Sequence, residues 1–253
     1  MKKLSVITLK FCKANFLFSL AFAGALLFAG CSKETPAPAN STTTASDVIS
    51  NNDVTQAVTN AVSASSSGLA TQTETTAQIT AESSLACGQT IDSSISGVSP
   101  SGAIFAYNYD LNFSRTCICT GGVPTQYNTT ITGSSSYSVI LMSSNDSTNA
   151  HFSVSGIQSA ATNYVLNGTY VRTGTIQSLI SNQHTFNGTI TFTSTNITVS
   201  KSTKQIISGT AAIQFNGTTL SGNTTSQTAT ITFLGNNQAS LIVGNGSPTT
   251  INW

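Results

Sequence analysis

The pattern of apolar and polar positions changes character twice along the chain. Residues 16–29 (FLFSLAFAGALLFA) are apolar apart from Ser19 and Gly24, and they follow Lys2, Lys3, Lys10 and Lys13. This run falls short of the ~20 residues that a membrane-spanning helix needs, and it fits the apolar core of a secretion signal. Further on, Val54, Ala57, Val58, Ala61 and Val62 recur at three- and four-residue spacing. That stripe predicts a helix, with Asn52 or Asp53 as N-cap and the Ser65-Ser66-Ser67-Gly68 cluster as its end. Its side chains are small, so the helix needs a partner surface to persist. The Thr-rich stretch 69–85 reads equally as a second weak helix or as irregular chain.

From about Ile91 the period becomes two. Phe105, Tyr107, Tyr109, Leu111 and Phe113 alternate with Ala106, Asn108, Asp110 and Asn112, the pattern of a half-buried antiparallel strand. Strand-like runs follow at 137–142, 151–157, 164–172, 185–199, 205–215, 228–234 and 239–243, with a short one at 249–253. Gly, Ser and Asn clusters separate them, and no helical pattern intervenes. This predicts a mainly β fold: a curved or partly closed antiparallel meander with a short N-terminal helix packed on one face. A β-sandwich is the alternative. Gly168, Gly188 and Gly209 interrupt strand-like runs, where glycine marks a bulge or bend. They read as curving the sheet, or as clearing space for a ligand. A similar motif recurs at Gly217, and the resulting spacings of 20, 21 and 8 residues exclude a solenoid.

The apolar run ends in Phe28-Ala29-Gly30-Cys31, which resembles the lipobox of bacterial lipoproteins, with Phe28 in place of the commonest Leu. The resemblance implies diacylglycerol on the Cys31 sulfur, cleavage before Cys31 and acylation of the new amino group. Two or three acyl chains hold a protein far more firmly than one, at about 0.8 kcal/mol per buried methylene. Ser32-Lys33-Glu34 follows. The Asp that usually retains lipoproteins at the inner membrane is absent. Lys33-Glu34 is similar to the short charged export signal of surface lipoproteins in Bacteroidota, and the chain as a whole resembles Ser/Thr-rich members of that group. The expected address is therefore the outer membrane, lipid-anchored, at the cell surface. The expected organisation is a cleaved signal over 1–30, the lipidated cysteine and a Pro/Ala/Thr tether over 31–46, a helical segment over 47–86 and an antiparallel β domain over 87–253.

Cleavage changes the charge balance. Four of the nine basic residues leave with the signal, so five remain against eight acidic ones. A nucleic-acid partner needs a clustered basic surface, which this chain lacks. Charged residues make up only 7% of the sequence, far below the ~25% of typical domains. The surface is polar without strong fields and gives little electrostatic steering.

Cys87, Cys117 and Cys119 remain after Cys12 is removed and Cys31 lipidated. Beyond the inner membrane a disulfide is the default, and Cys87 with Cys117 or Cys119 is the expected pair. A Cys-x-Cys metal site wants more ligands, so neither metal nor cofactor is expected. His151 and His184 are the only histidines. Asp146, near His151 in sequence, reads as part of a flexible Ser/Asn/Thr turn. Asp92, Asp110 and Asp146 are the carboxylates of the β region, and nothing marks two of them as a hydrolytic pair. Tyr107, Tyr109, Tyr164 and Tyr170 fit either core positions or a carbohydrate-stacking face. Arg172 on a strand should snorkel or pair. Asp146-Ser147-Thr148 resembles the Asp-Ser/Thr-x O-glycosylation motif of Bacteroidota, implying a glycan at Ser147 on an exposed turn. Sequons such as Asn128, Asn167, Asn187 and Asn223 reflect composition. A C-terminal Trp253 resembles the assembly signal of outer-membrane barrels, but the strands lack an apolar lipid face.

Together these features point to a non-enzymatic binding or structural lipoprotein, with a glycan or a protein as the ligand. The alternatives are a carrier holding an apolar molecule inside the curved sheet, and a hydrolase with His151 or His184 beside a serine and a carboxylate.

Overall fold

The computed structural model describes residues 47–63, 67–82, 84–180 and 183–253. The expected signal segment, Cys31 and the tether lie outside the described residues, as do Ser65 and Ser66 of the expected helix stop.

The described residues open with two helices, α1 (Asn51–Val62) and α2 (Leu69–Glu82). The N-cap of α1 is Ser50, two or three positions earlier than the expected Asn52 or Asp53. Asp53 is instead the third helical residue, and its carboxylate accepts the Ser50 N–H in a reciprocal capping box. The apolar stripe Val54, Ala57, Val58, Ala61 and Val62 is wholly buried. Stretch 69–85, ambiguous in sequence, is helical over most of its length, and α2 buries Leu69, Ala70, Thr73, Thr76, Ala77 and Thr80. Gly68 brings the two helices together, because a side chain there would run into the Ala61 carbonyl.

Ten strands follow: β1 (Thr90–Val98), β2 (Ala106–Thr120), β3 (Val123–Val139), β4 (Met142–Ser155), β5 (Asn163–Ser178), β6 (Thr185–Ser200), β7 (Ile206–Thr219), β8 (Thr224–Gly235), β9 (Gln238–Val243) and β10 (Thr249–Asn252). They form one antiparallel meander in chain order, and β1 and β10 are its free edges. The sheet is therefore open, and the two-sheet sandwich is not adopted. Strand β3 and the first half of β4 carry Ser, Thr and Asn at most positions, so apolar alternation does not reveal them. The apolar run 137–142 is no strand of its own. It ends β3, turns through Ile140 and Leu141, and begins β4. Phe105 precedes β2 and is exposed.

One face of the sheet and both helices share a single apolar core that includes Phe113, Ile131, Phe152, Phe192, Phe215 and Ile231. Helix contacts reach from β5, β6 and β7 to β9. On the other side, the Arg115 guanidinium on β2 donates to the Ile79 carbonyl of α2. At about 4.8 Å per strand, β2 to β9 would span roughly 34 Å if flat, whereas two helices side by side cover about 20 Å. The sheet must therefore curve around the helix pair.

Glycine makes that curvature possible. Gly174, Gly188 and Gly217 pair directly across β5, β6 and β7 in one lateral row. Side chains fill the space that the row leaves: Ile176 reaches over Gly188 and Ile49 over Gly217. Gly168 and Gly209 flank a bulge on β6, where Asn196 sits at φ +51° and the register shifts on both sides. Both glycines have positive φ, and a Cβ on Gly168 would lie 1.9 Å from the His151 carbonyl oxygen.

The inner face also carries charge. Asp146 is buried in the middle of β4, which corrects its expected place in a flexible turn. Thr148 and Ala150 share its inward phase, and the strand runs without a break through the Ser/Asn/Thr segment. Its carboxylate meets the Arg172 guanidinium at 2.5 Å, with Ser144 donating to the other oxygen and Ser135 bonded to the same guanidinium. Burial opposes the charge on Arg172, and the phenolic oxygens of Tyr170 and Tyr137 with the carboxylate of Asp146 more than offset it, so it stays protonated. Burial also pushes the Tyr170 hydroxyl up to about 12 and Tyr137 higher still, so both remain neutral beside the pair.

Removing one partner of a buried pair strands the other. Asp146→Ala should cost about 3–5 kcal/mol in urea unfolding, and Asp146→Ala with Arg172→Met should recover much of that loss. A double variant no more stable than Asp146→Ala would show that Arg172 does not depend on this carboxylate.

Candidate functional site

The outer face of the sheet is mostly polar because most apolar strand positions turn inward, with Ile118, Ile207, Leu234 and Ile242 among the exceptions. On it lies a groove of about 490 Å³ lined by Asn128, Thr130, His151, Ser153, Asn167 and Gly168, with Thr129 and Phe152 beneath. Successive outward positions of neighbouring strands bring these residues together: Thr130 pairs with His151, and Asn128 with Ser153, which pairs with Asn167. Thr130 Oγ1 lies 3.2 Å from His151 Nδ1. The bulge shapes one wall, where Asn167 Oδ1 accepts the Asn196 N–H at 2.8 Å. Gly168 lets the β4 backbone approach closely here, since a Cβ would run into the His151 carbonyl. The lining offers amide, hydroxyl and imidazole groups and no formal carboxylate or ammonium. It suits an uncharged ligand rich in hydroxyls. Sequence reading placed His151 on a strand and Gly168 at a bend, but only the register between β3, β4 and β5 joins them.

His184 takes no part in that groove. It lies just before β6, with Nε2 3.6 Å from Asp53 Oδ2. Asp53 is buried and accepts from Ser178 Oγ at 2.5 Å and from Ser50 Oγ at 2.6 Å. This gathers a serine, a histidine and a carboxylate, but in the wrong order for a relay. Both hydroxyls donate to the carboxylate, and among the described residues neither imidazole nitrogen has a hydrogen-bond partner. A nucleophilic serine needs the imidazole between itself and the carboxylate. The cluster docks the start of α1 onto the end of β5.

The other candidates take these positions. Asp92 and Asp110 face outward and Asp146 inward, so the sheet separates Asp146 from the other two. Ser147 is exposed but lies in the middle of β4, correcting its expected place on a turn, and its hydroxyl donates to the Thr173 carbonyl at 3.1 Å. Tyr164 and Tyr170 are core residues, while Tyr107 and Tyr109 are half-buried and stack at 6.1 Å. Cys87 is bonded to Cys119, and Cys117 is a buried free thiol on the same strand face. Trp253 packs edge-on against Phe233 and donates to Glu74 on α2. Arg115 carries no sequence motif that would single it out, whereas Ser50-Asn51-Asn52-Asp53 is a capping-box pattern that marks the start of α1 but not its contact with Ser178 and His184.

Comparison with known proteins finds no matching family, no matching curated protein and no matching solved structure. The groove and the polar clusters therefore rest on their own geometry.

Gly168→Ala tests the groove floor. The added methyl meets the His151 carbonyl in a backbone conformation that favours glycine, so the variant should lose about 1–3 kcal/mol in thermal or urea unfolding. Unchanged stability would show that the bulge relaxes freely.

Proposed function

We propose that this chain is a lipid-anchored outer-membrane lipoprotein, displayed at the cell surface, with a non-enzymatic binding role. The observation that carries the binding part is the uncharged, hydroxyl- and amide-lined groove around His151. The anchor rests on the lipobox-like Phe28-Ala29-Gly30-Cys31 directly after a short apolar run. The favoured ligand is a neutral glycan, because many weak hydrogen bonds on a surface without strong fields suit hydroxyl-rich polymers. Packing inside the sheet supports binding on the outer face over carriage of an apolar molecule. Phe113, Phe152, Phe192 and Leu166 on the inner face pack in one core with α1 and α2. A glycan on Ser147 would project from the same outer face.

In cells, the wild-type protein should partition with outer membranes and be digested when intact cells are treated with protease. Cys31→Ser should appear in the soluble fraction or remain unprocessed. Unchanged membrane retention of that variant would overturn the anchor, and resistance to protease until lysis would overturn surface display. Affinity electrophoresis in neutral polysaccharides should retard the wild type, and His151→Ala with Asn167→Ala should abolish the retardation. Equal retardation of the variant would exclude the groove as the binding site.

A further inference from the structure

The meander decides which loops share an end of the sheet. The β1–β2, β3–β4, β5–β6 and β7–β8 connections lie at one end, and the β2–β3, β4–β5, β6–β7 and β8–β9 connections at the other. The two ends differ in chemistry. At the first, Val98 and Ile104 flank the β1–β2 loop at 72% and 77% exposure, next to exposed Phe105. Ile140 at 68% and exposed Leu141 form the β3–β4 tip, and Leu220 at 78% caps the β7–β8 turn. Leu179 follows β5, and its N–H donates to the Leu141 carbonyl, so neighbouring tips form one rim. Turns normally favour Gly, Asn, Asp, Ser and Pro, yet the four most exposed large apolar side chains among the described residues all stand here. The opposite end turns through Gly121-Gly122 and Asn236-Asn237 and carries Lys201 and Lys204. Its exposed apolar side chains include Val123 and Leu234, each less exposed than those four.

The described chain begins at the apolar end. Asn223, at the β7–β8 turn, donates to the Asp47 carbonyl at 3.0 Å, Ser221 donates to the Asp47 carboxylate, and Val48 beside it is exposed. Residues 32–46 separate this point from Cys31, a reach of at most about 58 Å. Whatever surface holds Cys31 is thus within reach of the rim.

We propose that this rim is a membrane-contact surface that seats Phe105, Ile140, Leu141, Leu179 and Leu220 in the interface of a phospholipid leaflet. The proposal rests on the reading that Cys31 is lipidated. Exposed apolar side chains gathered at one end of a sheet whose turns should be polar mark an interaction site. Among the described residues the rim exposes no Lys or Arg and one carboxylate, Asp47, so its attraction is apolar and independent of anionic lipid. The contact also sets an orientation. Thr130 lies nine residues along β3 from Val139, so the His151 groove stands roughly 30 Å from the rim, opening to the side of the sheet.

The test uses the lipidated protein in phosphatidylcholine vesicles containing brominated lipid. Leu220→Trp should place its indole in the ~5–10 Å boundary zone and lose roughly half its added emission to bromine. Val123→Trp at the opposite end should be unaffected, as should native Trp253, read from the unsubstituted protein. Ile140→Ser with Leu141→Ser in the Leu220→Trp background should abolish the quenching while flotation with vesicles persists. An unquenched Leu220→Trp in protein that floats, with lipid on the Cys31 peptide confirmed by mass, would overturn the rim and leave the anchor standing. Protein that neither floats nor carries lipid at Cys31 would instead overturn the anchor, and the rim proposal with it. Dimers in detergent without quenching in vesicles would reassign the rim to a second copy and overturn the membrane contact.

Discussion

A ten-stranded sheet with one apolar face has to bury that face, and among the described residues two short helices cover it. This constraint organises the molecule. A flat sheet of this width would leave its edges uncovered, so the strands curve around α1 and α2. Curvature at the centre comes from the lateral row Gly174, Gly188 and Gly217 and from the bulge between Gly168 and Gly209. The row lets Ile176 and Ile49 occupy space that larger residues would claim. Where apolar area runs out, the inner face uses paired charge: Asp146 with Arg172, and Arg115 with the Ile79 carbonyl. Such groups are tolerated because each is bonded, and they add directional contacts that apolar packing lacks.

Burying both arginines has a consequence for the surface. Among the described residues the remaining cations are Lys201 and Lys204, and both lie at the end away from the rim. The outer face is left to Ser, Thr, Asn and Gln on alternating positions. Such a face cannot steer ions over a distance, and any recognition on it must come from shape and hydrogen bonds at contact. The bulge that curves the sheet also shapes one wall of the His151 groove through the Asn196–Asn167 hydrogen bond, so one backbone irregularity serves both the fold and the candidate site.

Antiparallel connectivity gives the domain two chemically distinct ends without a separate domain for each. Every second hairpin projects the same way, so apolar residues at four alternate connections accumulate on one rim. In sequence these residues are far apart and look like isolated exposed hydrophobics, which are common on any protein.

Much of the architecture was legible in the sequence. The three-and-four spacing through Val54 and Val62 marks α1, and the two-residue alternation through Leu111 and Phe113 marks β2, because each element must turn one face to a core. The apolar run ending at Cys31 set an expected anchor by its length and flanking residues alone. Strand β3 escaped the pattern because its outward and many of its inward positions are both Ser or Thr, leaving no contrast to read. The Ser50 cap was missed because Asn52, Asp53 and Ser50 are all competent caps, and packing against Ser178 selects among them. Tertiary structure decided the rest: that Asp146 faces Arg172, that His184 lies beside Asp53 while His151 stands in a groove, that Cys87 takes Cys119, and that the apolar tips share a rim. These depend on strand register and on which face each strand turns inward. A one-residue slip would reverse every side chain, and no local pattern fixes the partner across the sheet.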